Sequence, residues 1–167
     1  MGVNVAGGTR AIGIRVTPKV VFYAVVETSA QTEIELLTVG SLPVPVALEL
    51  PDRLSFVRTT LLDIIAEFEA VRAGIRLIEH TAQRIPIERV NLEGVIQELL
   101  SSSEVQGYFA GAIARIAGLL GEADRTRIKQ YFEGEDFMGV EDWQKRATEE
   151  REAIVTAVAA LRVRKER

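Results

Sequence analysis

The chain has 167 residues, of which 47% are apolar and 26% charged, and its formal net charge is −4. This length and composition predict one soluble globular domain that is large enough for a hydrophobic core. The absence of cysteine excludes disulfides, zinc–thiolate centres and a cysteine nucleophile, and it fits a cytoplasmic protein. No apolar run is long enough to span a bilayer and no secretory signal is visible, so we expect no membrane contact. The mild acidity disfavours general nucleic-acid binding, although a local basic patch could override it.

Three antiparallel strands are predicted at the start of the domain, after a flexible glycine-rich leader at residues 1–10. Val20–Glu27 reads V-V-F-Y-A-V-V-E, and this density of valine and aromatic residues favours a buried strand. Ala11–Thr17 precedes it across a short turn at Pro18, and Glu33–Leu42 follows a second turn at residues 29–32. Strands joined by such short turns predict an antiparallel meander.

Helices and two more strands are predicted after the meander. Apolar residues at helical spacing indicate a helix within Arg53–Arg72, capped by Asp52 and ended by Gly74. The next strand is predicted at Ile75–Glu79, and the crossover that leads to it implies parallel pairing. The remaining predictions are a helix from Asn91 to Leu100, a strand at Val105–Phe109, helices at Ala110–Leu120 and Glu122–Phe132, and a last helix from Val140 to Leu161.

This order of elements resembles the RNase H-like superfamily. The pieces that carry the resemblance are I-G-I-R at Ile12–Arg15, R-L-I-E at Arg76–Glu79, V-N-L-E-G-V-I-Q at Val90–Gln97 and R-E-A-I-V-T-A-V-A-A-L at Arg151–Leu161. Their order and spacing are most similar to the RuvC branch and to an uncharacterised bacterial group with the same fold. The resemblance implies an α/β domain over residues 11–161 with a five-stranded mixed sheet flanked by helices, and leaves residues 162–167 as a basic tail.

The same resemblance implies a nuclease centre in which several carboxylates hold two Mg²⁺ ions. The family's acids would lie at the end of the first strand, at the end of the fourth strand and on the last helix. In this chain the first position is Arg15 and the second matches Glu79. On the last helix Glu152 matches one acid, whereas the other position falls near Val155. Because Mg²⁺ needs oxygen ligands and a guanidinium cannot ligate a cation, we expect no intact metal site and no resident cofactor.

Arg15 would lie in a central strand, where a buried guanidinium needs a partner. We predict an ion pair between Arg15 and Glu79, because the strands that carry them are neighbours in the resembled fold. Two alternatives are open: Arg15 reaches water at the strand end, or it binds an anion such as phosphate. Arg162, Arg164 and Lys165 are further candidate anion contacts, although a basic run also suits a helix end that frays into solvent.

Several other side chains have simpler interpretations. His80, the only histidine, is predicted to be a loop residue without a catalytic role. Glu93 is predicted in the first turn of its helix, where a carboxylate suits the helix dipole, and it also matches an acid of the uncharacterised relatives. Arg89 is predicted to be solvated, and Trp143 is predicted to anchor the core.

The predicted function is a non-catalytic RNase H-like domain that works by binding, as a homo-oligomer or as a subunit of a larger assembly. Nucleic acid is a possible partner. The alternative is a divergent Mg²⁺-dependent nuclease that uses Glu79, Glu93, Glu149 and Glu152. In a third hypothesis the fold is another α+β arrangement, and a five-stranded mixed sheet would then be missing.

Overall fold

A five-stranded mixed sheet forms the centre of the structure, a computed structural model that describes residues 7–29 and 33–164. The elements are β1 (Thr9–Val16), β2 (Val20–Thr28), β3 (Ile34–Pro43), α1 (Leu50–Phe68), β4 (Arg72–Arg76), α2 (Ile87–Ser102), β5 (Gly107–Gly111), α3 (Ile113–Leu120), α4 (Arg125–Glu133), a 3₁₀ turn (Trp143–Lys145) and α5 (Thr148–Ala160). The strand order is β3-β2-β1-β4-β5. Strands β1, β2 and β3 pair antiparallel, whereas β4 pairs parallel with both β1 and β5. The predicted five-stranded mixed sheet is therefore confirmed.

Different helices cover the two faces of the sheet. On one face Ile12, Ile14 and Ile75 of the strands pack in a buried cluster with Leu61 of α1 and Ile96 of α2. The other face is covered by α5, whose residues 151–160 are all buried. Successive side chains of β1 point to opposite faces of the sheet, so they contact these two layers of helices alternately.

Gly13 allows α5 to lie directly against β1. A side chain at this position would overlap the backbone of Ala153 and Ala157, so only glycine fits the close approach. The contact fixes the first half of α5 beside the last residues of β1. It thereby determines which side chains meet at the carboxyl end of that strand.

Helix α1 and strand β4 both begin and end earlier than predicted. The helix begins at Leu50, before Asp52, and ends at Phe68 because Glu69 takes a left-handed conformation with φ 53°. Gly74 does not end the helix but lies within β4, where a side chain would overlap the ring of Phe109. Since β4 ends at Arg76, Glu79 lies beyond the strand.

Helix α2 and the predicted last helix also differ from expectation. Helix α2 begins at Ile87 after Pro86, which places Asn91 inside the helix. The last helix is divided into the 3₁₀ turn and α5, because Asp142 takes a left-handed φ of 56° and Ala147 is extended. The side chain of Trp143 is buried at the start of the 3₁₀ turn, as predicted.

The ends of the described chain are more ordered than the sequence indicates. Thr9 and Arg10 belong to β1 rather than to a leader, and the rest of the predicted leader falls mainly on residues 1–6, outside the described ranges. Val163 is buried, and Arg162 donates to the carbonyl of Leu120 at 3.0 Å, so these residues pack instead of fraying. The predicted turn at residues 29–32 and the candidate Lys165 fall outside the described residues, except for Ser29. Within the described ranges, no helix is long and apolar enough to cross a membrane.

Candidate functional site

Two arginines meet at the carboxyl ends of β1 and β4. Arg15 and Arg76 are register partners in the parallel pair, so their side chains leave the sheet on the same face. This is the face on which Gly13 meets α5. The side chains are only 13% and 9% exposed, respectively. Two like charges in such a place need a nearby counter-charge.

Glu152 of α5 supplies that counter-charge. Its Oε2 accepts a hydrogen bond from Nε of Arg15, and its Oε1 lies 4.0 Å from Nε of Arg76. Arg15 also donates to the carbonyl of Val16. Glu152 is buried, so this carboxylate stands between two guanidinium groups with little contact with water.

The predicted ion pair between Arg15 and Glu79 is wrong, because Glu152 takes that place. Arg76 is the last residue of β4 and the register partner of Arg15. Glu79 therefore lies beyond the end of the strand. There its Oε1 accepts from the backbone N–H of Ile113 at 2.9 Å and lies 3.7 Å from Nη2 of Arg76. Glu79 thus connects the end of β4 to the start of α3.

A second ion pair, within α2, lies near the carboxyl end of β4. Nε of Arg89 donates to Oε1 of Glu93 at 2.8 Å, and that oxygen also accepts from the backbone N–H of Ile78 at 3.1 Å. Both charged side chains are buried. The sequence predicted a solvated Arg89 and placed Glu93 in the first turn of its helix. Both predictions are wrong, because α2 begins at Ile87, Arg89 is buried and Glu93 lies beyond the first turn. The i, i+4 spacing of opposite charges was the sequence signal for this pair.

Electrostatic coupling joins these groups into one network. Burial lowers the pKa of Arg76, and the nearby positive charges of Arg15 and Arg89 lower it further. The negative charge of Glu152 acts in the opposite direction. Burial also lowers the pKa of Arg89, and Arg15 adds to that shift. We call this set the arginine–glutamate network. Its three cations and three anions are Arg15, Arg76, Arg89, Glu79, Glu93 and Glu152.

The network is neutral in formal charge but is not fully hydrogen-bonded. Among the described residues, Nε of Arg76 and Nη2 of Arg89 have no hydrogen-bond partner. The guanidinium of Arg76 lies 5.9 Å from the centroid of the Phe132 ring, within the range of a cation–π contact. The arginines therefore depend mainly on their carboxylate neighbours for stabilisation.

The other predicted candidates lie outside the network. Glu149 is half-buried on α5 and takes part in none of the ion pairs formed among the described residues. Val155, at the position of the second helix acid, is fully buried in the core. His80 is exposed in the loop after β4, as predicted.

The donor set does not fit the two Mg²⁺ ions that the resembled family implies. Glu79, Glu93 and Glu152 each contact a guanidinium group, and the position at the end of β1 is itself a cation. A metal ion entering here would meet buried like charges instead of free carboxylate oxygens. In the described part of the chain, no three histidine, cysteine or acidic residues lie close enough together to hold a metal ion.

Solved structures with a similar fold are RuvC and other Holliday junction resolvases. RuvC of Thermus thermophilus superposes with a TM-score of 0.69 at 13% identity, covering 92% of this chain and 94% of RuvC. The fold is the RNase H-like fold of RuvC. The same enzyme in complex with Holliday junction substrate gives a TM-score of 0.66 at 12% identity, over 92% and 94% of the two chains. The yeast mitochondrial Holliday junction resolvase Ydc2 gives 0.52 at 10% identity, over 96% and 80%. No protein-family model and no curated protein matches the sequence.

Proposed function

We propose that this chain is a non-catalytic RNase H-like domain that works by binding, with nucleic acid among its partners and without a metal cofactor. The observation that carries the proposal is the arginine–glutamate network at the carboxyl ends of β1 and β4. In the resembled family this region holds the metal-binding acids. In this chain each acid of the network is neutralised by an arginine.

Energetics favour a structural role for the network. Freeing Glu152 for a metal would leave Arg15 without a carboxylate among the described residues and Arg76 with Glu79 only. Removing one partner of a buried pair costs about 3–5 kcal/mol. A catalytic carboxylate must instead be available to metal or water before each turnover. The network therefore suits a domain whose stability depends on keeping these charges paired.

The fold neighbours support nucleic acid as the partner. RuvC of Thermus thermophilus is solved with Holliday junction substrate, and a fowlpox virus resolvase is solved with Holliday junction DNA. The second of these superposes with a TM-score of 0.51 at 9% identity, covering 90% of this chain and 95% of the resolvase. By analogy of fold, we propose that this chain binds DNA or RNA and leaves it intact.

Cleavage and binding assays on one set of substrates test this function. We expect the purified chain to bind duplex, single-stranded or four-way branched DNA and to cut none of them with Mg²⁺ or Mn²⁺. Cleavage that Glu79→Gln abolishes would overturn the proposal and favour the alternative nuclease of Glu79, Glu93, Glu149 and Glu152. Glu133→Gln is the matched control, because Glu133 is exposed on α4, outside the network.

Apolar side chains at the surface support self-association or a protein partner. Around the start of α2, Ile85 is 51%, Ile87 73% and Val90 43% exposed. Contiguous exposed apolar patches are typical of interaction sites, and these three residues lie within six positions of one another in the sequence. We propose a cytoplasmic homodimer or assembly subunit. Light scattering after size-exclusion chromatography should give a mass above the 18.4 kDa of one chain, and a monomer at all concentrations would contradict self-association.

A further inference from the structure

A pocket lined by arginines lies near the edge strand β5, outside the network. It is lined by Arg115 and Leu119 of α3 and by Arg162, Val163 and Arg164, which follow α5, and its volume is about 270 Å³. Among the described residues, no carboxylate lines it. We call it the arginine pocket.

Gly107 leaves room for a fourth arginine beside the pocket. Arg72 of β4 is the register partner of Gly107 at the start of β5. A side chain at Gly107 would lie 3.3 Å from Cδ of Arg72 and 3.3 Å from the carbonyl oxygen of Arg164. The absence of a side chain at Gly107 thus leaves the stem of Arg72 and the backbone of Arg164 close to each other, although Nη1 of Arg72 donates to the carbonyl of Val71 and Arg72 does not line the pocket.

The cations of the pocket have no carboxylate partners within the described residues. None of Arg115, Arg162 and Arg164 takes part in the ion pairs found there. All three are exposed, and within the described ranges only the side chain of Arg162 is held by a hydrogen bond, to the carbonyl of Leu120. Like charges around one hollow repel each other, and an anion placed between them removes that repulsion.

We propose that the arginine pocket binds a phosphate group. The planar fork of arginine matches two phosphate oxygens, and arginines on different sides can share the oxygens of one phosphate. Leu119 and Val163 complete the lining between the arginines. The phosphate is either free or part of a nucleic-acid backbone. Only the second source rests on the proposed function.

Titration with inorganic phosphate, followed by ¹H–¹⁵N NMR, tests the site itself. We expect saturable shifts confined to amides around Gly107, Leu119 and Val163, and their loss in the double variant Arg115→Gln/Arg164→Gln. These arginines are exposed and make no ion pair with a described residue, so the variant should fold. Arg125→Gln is the matched control, because Arg125 is an exposed arginine at the start of α4, and it should retain the shifts. Shifts that do not saturate, or that survive in the double variant, would overturn the proposal.

Fluorescence anisotropy with labelled single-stranded and duplex DNA distinguishes the two sources. If the ligand is a backbone phosphate, the plot of the logarithm of the DNA association constant against the logarithm of salt concentration should be less steep for the double variant. The slope should fall in magnitude by about 0.7–0.9 for each phosphate contact that is lost. Its binding should then be at least about tenfold weaker at 0.1 M salt. Arg125→Gln should change neither quantity by as much.

Each combination of outcomes separates the pocket from the proposed function. Unchanged DNA binding in the double variant, without phosphate shifts in the wild type, would overturn the pocket and leave the function standing. Saturable phosphate shifts without DNA binding would support the pocket as a free-phosphate site and overturn the nucleic-acid part of the function. Failure of both assays would overturn both proposals. An acidic peptide that reproduces the shifts where phosphate gives none would overturn the choice of phosphate.

Discussion

The arginine–glutamate network and the arginine pocket contain the same residue type in opposite circumstances. In the network, two buried arginines and one largely buried arginine, Arg15, are balanced by three glutamates. In the pocket, three exposed arginines contribute to the lining, and no carboxylate of the described residues does. A buried cation requires a partner within the protein, whereas an exposed cation keeps its charge available to a ligand. Burial and pairing therefore decide which of these arginines hold the fold together and which can bind.

Their positions in the fold explain the difference. The network forms at the carboxyl ends of β1 and β4, beside α5 and α2, so most of its side chains are enclosed, although Glu79 after β4 is 28% exposed. The pocket lies between α3 and the residues that follow α5, near a strand that has a neighbour on one side only. The first place excludes most of the solvent, and the second remains open to it.

The largest effect is expected from removing the charge of Glu152. Glu152→Gln keeps the size of the side chain but removes the one carboxylate that pairs with Arg15 among the described residues, and it leaves Arg76 with Glu79 alone, 3.7 Å away. The free energy of unfolding should fall by about 3–5 kcal/mol. Urea unfolding followed by the fluorescence of Trp143, the only tryptophan, measures this change.

Glu149→Gln is the matched control for that experiment, since it makes the same chemical change on the same helix outside the network. It should alter the free energy of unfolding by no more than about 0.5 kcal/mol. Equal losses in the two variants would show that the network contributes no special stability, and the contrast with the arginine pocket would lose its energetic basis.

A smaller effect is expected at Gly13, which sets the distance between β1 and α5. Gly13→Ala would push its methyl group into the α5 backbone, so the helix must move away from the strand that carries Arg15. Overpacking of this kind costs about 1–3 kcal/mol. Gly94→Ala is the control: Gly94 lies within α2 with open space around it, and alanine there should stabilise by about 0.4–1 kcal/mol. A neutral Gly13→Ala variant would show that the network tolerates displacement of α5.

Much of the fold follows from local patterns in the sequence. The apolar run at Val20–Glu27 and the short turn at Pro18 predict the meander, and the alternation of helices and strands predicts parallel pairing. Most errors are at element ends, and the predicted last helix is also interrupted by the extended residue Ala147. Gly74 was expected to end a helix, but it lies within β4 because its lack of a side chain makes room for Phe109. A glycine needed for packing between strands looks the same in the sequence as a glycine that ends a helix.

The site was harder to predict because it depends on register. The position of Arg15 at the end of β1 was predicted, but its partner was not, since moving the end of β4 from Glu79 to Arg76 changes which residue faces it. Arg76 was missed as a site residue for the same reason, whereas Arg89 was missed because α2 begins at Ile87, before the predicted start, and Arg89 is buried there. An arginine between apolar residues within a predicted strand, as Arg76 is between Ile75 and Leu77, is a signal of a buried charge, and it points to a carboxylate elsewhere in the fold.

An exposed ion pair provides a third test of the rule that burial decides the role of a charge. Nε of Arg58 on α1 lies 2.8 Å from Oε2 of Glu98 on α2. Hydrogen bonding to Arg58 lowers the pKa of Glu98 below its ordinary value. The stability that the pair contributes is therefore present above the pKa of an unfolded glutamate and is lost as pH falls through the lower folded value.

Glu98→Gln should consequently lower the free energy of unfolding near pH 7 by much less than Glu152→Gln, because water and salt screen the exposed pair. The difference from wild type should shrink toward zero in acid and at high salt. Urea unfolding at several pH values and salt concentrations measures it. A loss as large as that of Glu152→Gln would contradict the rule.

The smallest change in stability is expected in the arginine pocket. Because Arg115 and Arg164 are exposed and make no ion pair with a described residue, Arg115→Gln/Arg164→Gln should change the free energy of unfolding by no more than about 0.5 kcal/mol in phosphate-free buffer. Mutual repulsion among the cations even favours a slight gain. Adding phosphate should then stabilise the wild type and not the variant, since a ligand that binds only the folded state raises its stability. Thermal unfolding with and without phosphate compares the two proteins. A large loss of stability in phosphate-free buffer would mean that these arginines hold the fold together as those of the network do, and the distinction between the two groups would fail.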